Sequence, residues 1–443
     1  MDTGDTAWVL TSAALVLLMT PGLALFYGGM VRSKSVLNMM MMSFSSLALI
    51  GVIWVLYGYS LSFGNDLGGG LLGDPTDFWG LKGLMSPDAL VFTVPSLAFV
   101  AFQSVFAIIT VALISGAIAD RARFGPWLLF SWIWATIVYF PVCHWVFDFN
   151  GSTGTDFVGG WIANNLKAID FAGGTAVHIN AGAAGLALAL VLGKRKGFGK
   201  EAMRPHNLTL VMIGAGLLWF GWFGFNAGSA LGANTLAAVT WMNTLSATAA
   251  AALGWLLLEK IRDGKPTSLG AASGIVAGLV AITPSCSSVS PIGALIIGFL
   301  AGIFCALAVG LKYKFGYDDS LDVVGVHLIG GIWGTLSVGL LATASAPAAV
   351  DGLFYGGGVD QLWRQAVGAG AVLAFSFIVT LVIGFAIEKS IGFRISEEEE
   401  VEGIDGVEHA ESAYDFTGSG GGSGFASGHL AAATAPTQEG VNA

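Results

Sequence analysis

Apolar residues in this sequence are gathered into long runs separated by short polar breaks, and that feature restricts the fold more than any other. A helix crossing a bilayer needs about 20 mostly apolar residues. Such runs fall near 7–31, 36–63, 93–118, 125–147, 172–193, 207–230, 234–258, 269–284, 290–313, 323–343 and 365–388, with 269–284 the shortest. Between them lie turn-forming stretches such as Asn65-Asp66-Leu67-Gly68-Gly69-Gly70, Asn150-Gly151-Ser152-Thr153-Gly154, Asp263-Gly264-Lys265-Pro266 and Gly356-Gly357-Gly358. Lipid offers no partner for a backbone amide, so each run has to close its own hydrogen bonds as a helix. The expectation is an all-α membrane protein of eleven transmembrane helices. With 55% hydrophobic and 11% charged residues, lipid is its main solvent. The 64 glycines have no collagen-like period and fit helices in close contact.

Charge orients the chain. If the amino terminus lies outside, the inner loops, the end of the last run and the tail carry 16 of the 19 Lys and Arg residues, leaving Lys82, Lys167 and Arg364 outside. A miscounted helix would scramble this alternation, so the bias supports the count as well as the sense. The tail is then cytoplasmic. Through Arg394 the acids and bases cancel, and all ten surplus acids lie beyond it, from Glu397 to Glu439. This divides the chain into a transmembrane domain (1–392), a cytoplasmic acidic tail (393–415) and a disordered low-complexity end (416–443). The first run follows Asp2 and Asp5 and precedes Arg32 and Lys34, so it reads as a retained helix, not a signal peptide. Nothing points to nucleic acid.

Cys143, Cys286 and Cys305 sit in or beside apolar runs without metal-binding spacing, so neither a disulfide framework, a metal nor a cofactor is expected. No phosphate loop or nucleophile–base pair appears, which argues against an enzyme. Apart from His144 near the end of the fourth run, the ionisable groups inside the runs are His178 and His327. A titratable group in hydrocarbon is costly and is kept for a pathway or a partner; the plainer alternative is a histidine tied to a neighbouring helix. Two, at comparable places, favour the pathway. The fifth run follows Asp170 and carries His178, while the tenth follows Asp322 and carries His327, which suggests an inverted 5+5 repeat plus one extra helix. Asp170 reads both as a helix cap and as an anion near the outer mouth. Phe102 and Phe106 share one helix face by their spacing, as do Phe225 and Ser229, and Trp222 and Asn226. Such stripes serve packing, or hold a small cation by ring faces and a hydroxyl.

Several blocks resemble the ammonium transporter (Amt/Mep/Rh) family, of the bacterial Amt type. They are Gly28-Gly29-Met30-Val31-Arg32 with Asn38, Val100-Ala101-Phe102-Gln103, Asp170 through Asn180, Lys200-Glu201, Pro205-His206-Asn207, Trp222 through Ser229, Ile282-Thr283-Pro284 and Gly325-Val326-His327. The resemblance runs over about residues 6–414. It implies a homotrimer in the cell (plasma) membrane, each subunit with its own narrow apolar pore for ammonium or ammonia, with methylammonium as an analogue. Phe102, Phe106 and Ser229 would form the outer site, and Phe106 and Phe225 the rings closing the pore below it. His178 and His327 would be the twin histidines, Asp170 would support cation recruitment, and Trp222 would line the path. The family places a Trp at the outer rim where this chain has Phe147, a weaker ring for cations. Asp148 to Lys167 looks like an insertion that reshapes the vestibule. The tail from Phe393 to Tyr414 resembles a regulatory segment with an inter-subunit role, and a PII-type protein docking on the inner face is implied by the resemblance alone.

The expected mechanism is capture of ammonium outside, loss of its proton, and passage as ammonia. Two other readings share the scaffold: a Rhesus-type neutral gas channel, against which the aromatic outer site and the tail argue, and an ammonium sensor. A sensor usually carries a signalling domain, and the roughly 50 residues after the last run lie at the bottom of the domain range.

Overall fold

The computed structural model describes residues 1–414, so the expected disordered segment 416–443 lies outside the described residues. Among the described residues, ten helices are long and apolar enough to cross a membrane: α1 (Thr3–Met30), α2 (Val36–Phe63), α3 (Ser96–Ile118), α4 (Phe124–Phe147), α5 (Gly174–Leu192), α6 (Leu208–Gly228), α7 (Thr235–Asp263), α9 (Pro291–Phe315), α10 (Val324–Leu341) and α11 (Asp360–Ser390). The eleventh, α8 (Ser268–Ile282), is shorter, as its run suggested. Pro284 cannot continue it, and the turn Thr283–Ser288 that completes its depth is buried in protein. Non-helical backbone is tolerated at membrane depth only in such a place.

Polar side chains start many of the helices where the sequence changes from loop to apolar run. Asp2 accepts from the amide of Asp5, Asn207 from Leu210, Asn234 from Ala237, Thr267 from Gly270 and Ser290 from Gly293, at 2.9–3.1 Å. Glycine then sets how closely helices meet. A Cβ on Gly29 of α1 would lie 2.7 Å from the Asn207 carbonyl oxygen and 2.8 Å from the Val211 nitrogen at the head of α6, so no larger residue fits there. Gly298 and Gly302 of α9 likewise rest on the carbonyls of Ala247 and Ala251 of α7. The outward side of α11 stays apolar and exposed, with Val367, Ile378, Val382 and Phe385 available to lipid.

The two histidine helices are built alike. Each opens with a π-helical turn, Gly174–Ile179 in α5 and Val324–Leu328 in α10, and the histidine sits in that turn. Each start is capped by a carboxylate. Asp170 accepts from the amides of Gly173, Gly174, Thr175 and Ala176 at 2.6–3.2 Å and from the Thr175 hydroxyl. On α10 the cap is Asp319, which accepts from Val323 at 3.0 Å and Val324 at 2.7 Å. This corrects the pairing of Asp170 with Asp322. Asp322 has a left-handed backbone (φ 64°) and binds the Lys312 ammonium at 2.7 Å instead. Burial pushes the Asp319 carboxyl up to about 6, against the pull of Lys312. α5 starts beside a cavity lined by Phe171, and α10 starts beside one lined by Asp322 on the other side of the histidines. The two helices therefore run in opposite directions, as an inverted repeat requires.

One face collects the basic loops and the tail. Buried Arg195 donates twice to Asp318, at 2.9 Å each from Nε and Nη2, and once to Asp120 at 2.8 Å. Burial opposes its charge, but the two carboxylates outweigh that and hold the guanidinium above its ordinary range. The acidic tail forms two short helices, α12 (Glu397–Glu402) and α13 (Ile404–His409), on this face. Buried Glu400 pairs with Arg32 at 3.2 Å and Arg394 at 3.1 Å and accepts from the Lys196 amide. Asp405 accepts from Leu37 and Asn38 at the start of α2, and Glu408 from Phe124 at the start of α4. The tail thus docks on helix starts of its own chain, where a carboxylate is favoured.

Candidate functional site

A line of aromatic and imidazole rings runs through the middle of the bundle. On the face away from the tail, a cavity is lined by Phe92, Phe99, Phe102, Gln103, Phe106, Phe147, Phe149, Ser152, Phe171, Ser229 and Leu231. Four of the expected outer residues, Phe102, Phe106, Phe147 and Ser229, therefore meet there. The Phe102 and Phe106 rings stand edge to face at 4.9 Å, and Phe147 meets Phe106 edge-on at 6.4 Å. The Ser229 hydroxyl donates to the Phe225 carbonyl at 2.8 Å, leaving its lone pairs free for a donor. Phe149 and Ser152 come from the 148–167 stretch, so that segment does shape the vestibule.

Below it the path is shut. Phe106 and Phe225 are stacked at 4.1 Å with planes 22° apart, and both are buried. Beyond them lies a small cavity lined by Met19, Leu23, Phe26, Ile109, Leu113, Val177, His178, Leu218, Trp222, Phe225, Val276 and His327. Its free volume of about 10 Å³ is near that of one water-sized molecule, and its walls are apolar except for the imidazoles. Trp222 stacks on His178 at 5.4 Å and is fixed by its indole N–H donating to Thr283 at 2.9 Å. On the tail side a third cavity, lined by Tyr27, Met30, Ser273, Asp322 and His327 among others, leads from the second histidine toward the loops.

His178 and His327 face each other with Nδ1 atoms 3.3 Å apart and rings 5.4 Å apart. Two neutral imidazoles can bond through the same ring atom only if one carries its proton on Nδ1 and the other on Nε2. The pair therefore presents one free lone pair and one N–H at its outer nitrogens. The His178 Nε2 is buried without a protein partner. Such a pair can pass hydrogen bonds to a small polar molecule, and can move one proton between its members by exchanging tautomers.

Asp170 is not among the residues lining these cavities, because its oxygens are taken up by the amides of α5. Gln103, Phe149, Ser152 and Phe171 were not singled out from sequence as site residues. Gln103 left a signal, being an amide inside an apolar run. The loop residues left none, because their approach depends on tertiary folding. Among the described residues, no group of three His, Cys, Asp or Glu side chains could hold a metal ion.

The sequence profile of the Ammonium Transporter Family matches residues 7–414. An ammonium transporter of Mycobacterium tuberculosis (strain ATCC 25618 / H37Rv) is 62% identical over 436 residues, covering 94% of this chain and 91% of that one. Among solved structures, Candida albicans Mep2 superimposes with a TM-score of 0.82 at 35% identity, over 90% of this chain and 88% of the other. A structure titled "Sensor Amt Protein" does so with a TM-score of 0.83 at 30% identity, over 92% and 98%. A match of this extent, over the helices that carry the ring line and both histidines, shows that the chain belongs to the ammonium transporter family.

Proposed function

We propose that this protein transports ammonium across the cell membrane, taking up the cation at the outer aromatic cavity and conducting it inward as ammonia. The observation that carries the reading is the histidine pair at 3.3 Å, set in an apolar cavity closed by stacked Phe106 and Phe225. No carboxylate lines that cavity. A bare cation there would meet a penalty of roughly several kcal/mol, which a neutral molecule bonded to His178 and His327 avoids. Phe102, Phe106, Phe147 and Ser229 hold the cation outside, and Asp170 adds negative potential at that mouth. Phe225 and Phe106 gate the path, and Trp222 walls it.

The reading places the amino terminus outside and the tail in the cytoplasm, supported by the basic loops gathered on the tail's face. It makes the assembly a homotrimer. An exposed apolar groove between α7 and α9, lined by Ala249, Ala250, Leu253, Leu295, Ile296 and Phe299, is suited to another subunit's helix. The docked segment up to residue 414 serves as a regulatory tail, and a PII-type protein would meet the same face.

The test is methylammonium uptake and growth rescue in cells lacking their own ammonium transporters. Wild type is expected to rescue growth. Ser229→Ala is expected to raise the KM for methylammonium about tenfold, the worth of one hydrogen bond to a charged group. A well-expressed wild type that neither rescues growth nor takes up methylammonium would leave the sensor reading in its place.

A further inference from the structure

Gln103 is 8% exposed, and its amide oxygen has no hydrogen-bond partner. A buried acceptor left unpaired costs free energy in the resting protein, and an apolar residue of the same shape would avoid that cost. The residue is not simply stranded in packing, because it lines the outer cavity with Ser229, Phe102, Phe106 and Phe147. On α3 it lies three residues before Phe106 and four after Phe99, so it shares their face of the helix.

We propose that Gln103 is a second hydrogen-bond acceptor of the outer site for a small cation carrying N–H groups. This rests on the ammonium reading above and names a residue that completes it. An ammonium ion leaving water has four N–H donors to satisfy. The Ser229 hydroxyl has given its proton to the Phe225 carbonyl and can only accept from the ligand. The aromatic rings offer π faces but no lone pairs. Ser229 alone would leave the ion with one oxygen partner, and the Gln103 amide oxygen adds a second. Rotation of the amide about its last bond turns either the oxygen or the NH2 toward the cavity. A cation selects the oxygen, whereas an empty site has no such preference. Gln103 thus contributes to binding and does not take part in proton transfer.

The test is methylammonium uptake by purified protein in proteoliposomes, normalised to incorporated protein, for wild type, Gln103→Met, Gln103→Glu and Ser229→Ala. Gln103→Met keeps the volume and removes the acceptor. It is expected to raise KM by about tenfold or more while changing the maximal rate less than about twofold. Gln103→Glu keeps an acceptor oxygen and is expected to hold KM at or below the wild-type value. A role in packing alone predicts the reverse order, with Met tolerated and the carboxylate harmful. Wild-type KM in Gln103→Met, alongside a raised KM in Ser229→Ala, overturns the Gln103 assignment and leaves the ammonium reading standing. If either glutamine variant fails to incorporate, the other decides: a raised KM in Gln103→Glu overturns the assignment on its own. Absence of saturable uptake in the wild type overturns the ammonium reading itself.

Discussion

Proteoliposomes containing His178→Ala are expected to lose the ammonium-evoked current by about two orders of magnitude or more, the usual worth of a positioned proton-transfer group. Currents on solid-supported membranes would measure this, with ammonia flux followed in the same vesicles. The expectation follows from the arrangement around the pair. The two Nδ1 atoms lie 3.3 Å apart, and the His178 Nε2 is buried with no other partner. Removing one imidazole breaks the only described route by which a proton could pass through this otherwise apolar cavity. Ammonia needs no such route, and the methyl group of alanine leaves more room for it. Persistence of ammonia flux with loss of current would therefore assign the proton to the histidines. Equal currents in variant and wild type would send the proton elsewhere.

The second large effect is on stability. Asp170→Ala removes the acceptor of four backbone amides and the Thr175 hydroxyl at the start of α5. At about 1–3 kcal/mol for each buried donor left unpaired, and with water reaching part of this half-buried end, the loss is expected to total about 3–5 kcal/mol. A thermal melt in detergent would report it as a lowered midpoint. Asp170→Asn keeps one acceptor oxygen and should recover roughly half of that loss. The same variant separates the two roles given to this residue. If Asp170 only caps the helix, Asp170→Asn transports with wild-type KM once folded. If its charge recruits the cation, KM rises although the helix is intact. An unchanged midpoint in Asp170→Ala would contradict the capping account altogether.

The long apolar runs made the helices legible, and the run at 36–63 coincides with α2. His178 and His327 stood out because an ionisable group in such a run has few structural excuses. The i, i+4 spacing of Phe102 and Phe106 predicted a shared face, and their rings do touch. Other features had no counterpart in the pattern. With acids at 318, 319 and 322, spacing could not say which one caps α10, and the choice falls on Asp319 because Asp322 bends away to Lys312. The π-helical turns that carry both histidines leave no mark on an apolar periodicity. The docking of the acidic tail is not legible in a run of acids, because it depends on which carboxylates meet a partner. Glu400 sits between two arginines, and Asp405 and Glu408 sit on separate helix starts. Phe149 and Ser152 reach the vestibule through the fold of a long loop, which local sequence does not encode.

In the proposed mechanism nitrogen crosses the histidine cavity without charge. This is tested most directly by comparing currents driven by ammonium and by potassium at equal gradients in the same vesicles of purified wild-type protein. Potassium is a monovalent cation that has no proton to give up. A saturable ammonium current is expected, with no potassium current above that of protein-free vesicles. A potassium current comparable to that of ammonium would mean that an intact cation passes between Phe106 and Phe225 and along the histidines, and the mechanism proposed for this protein would be wrong.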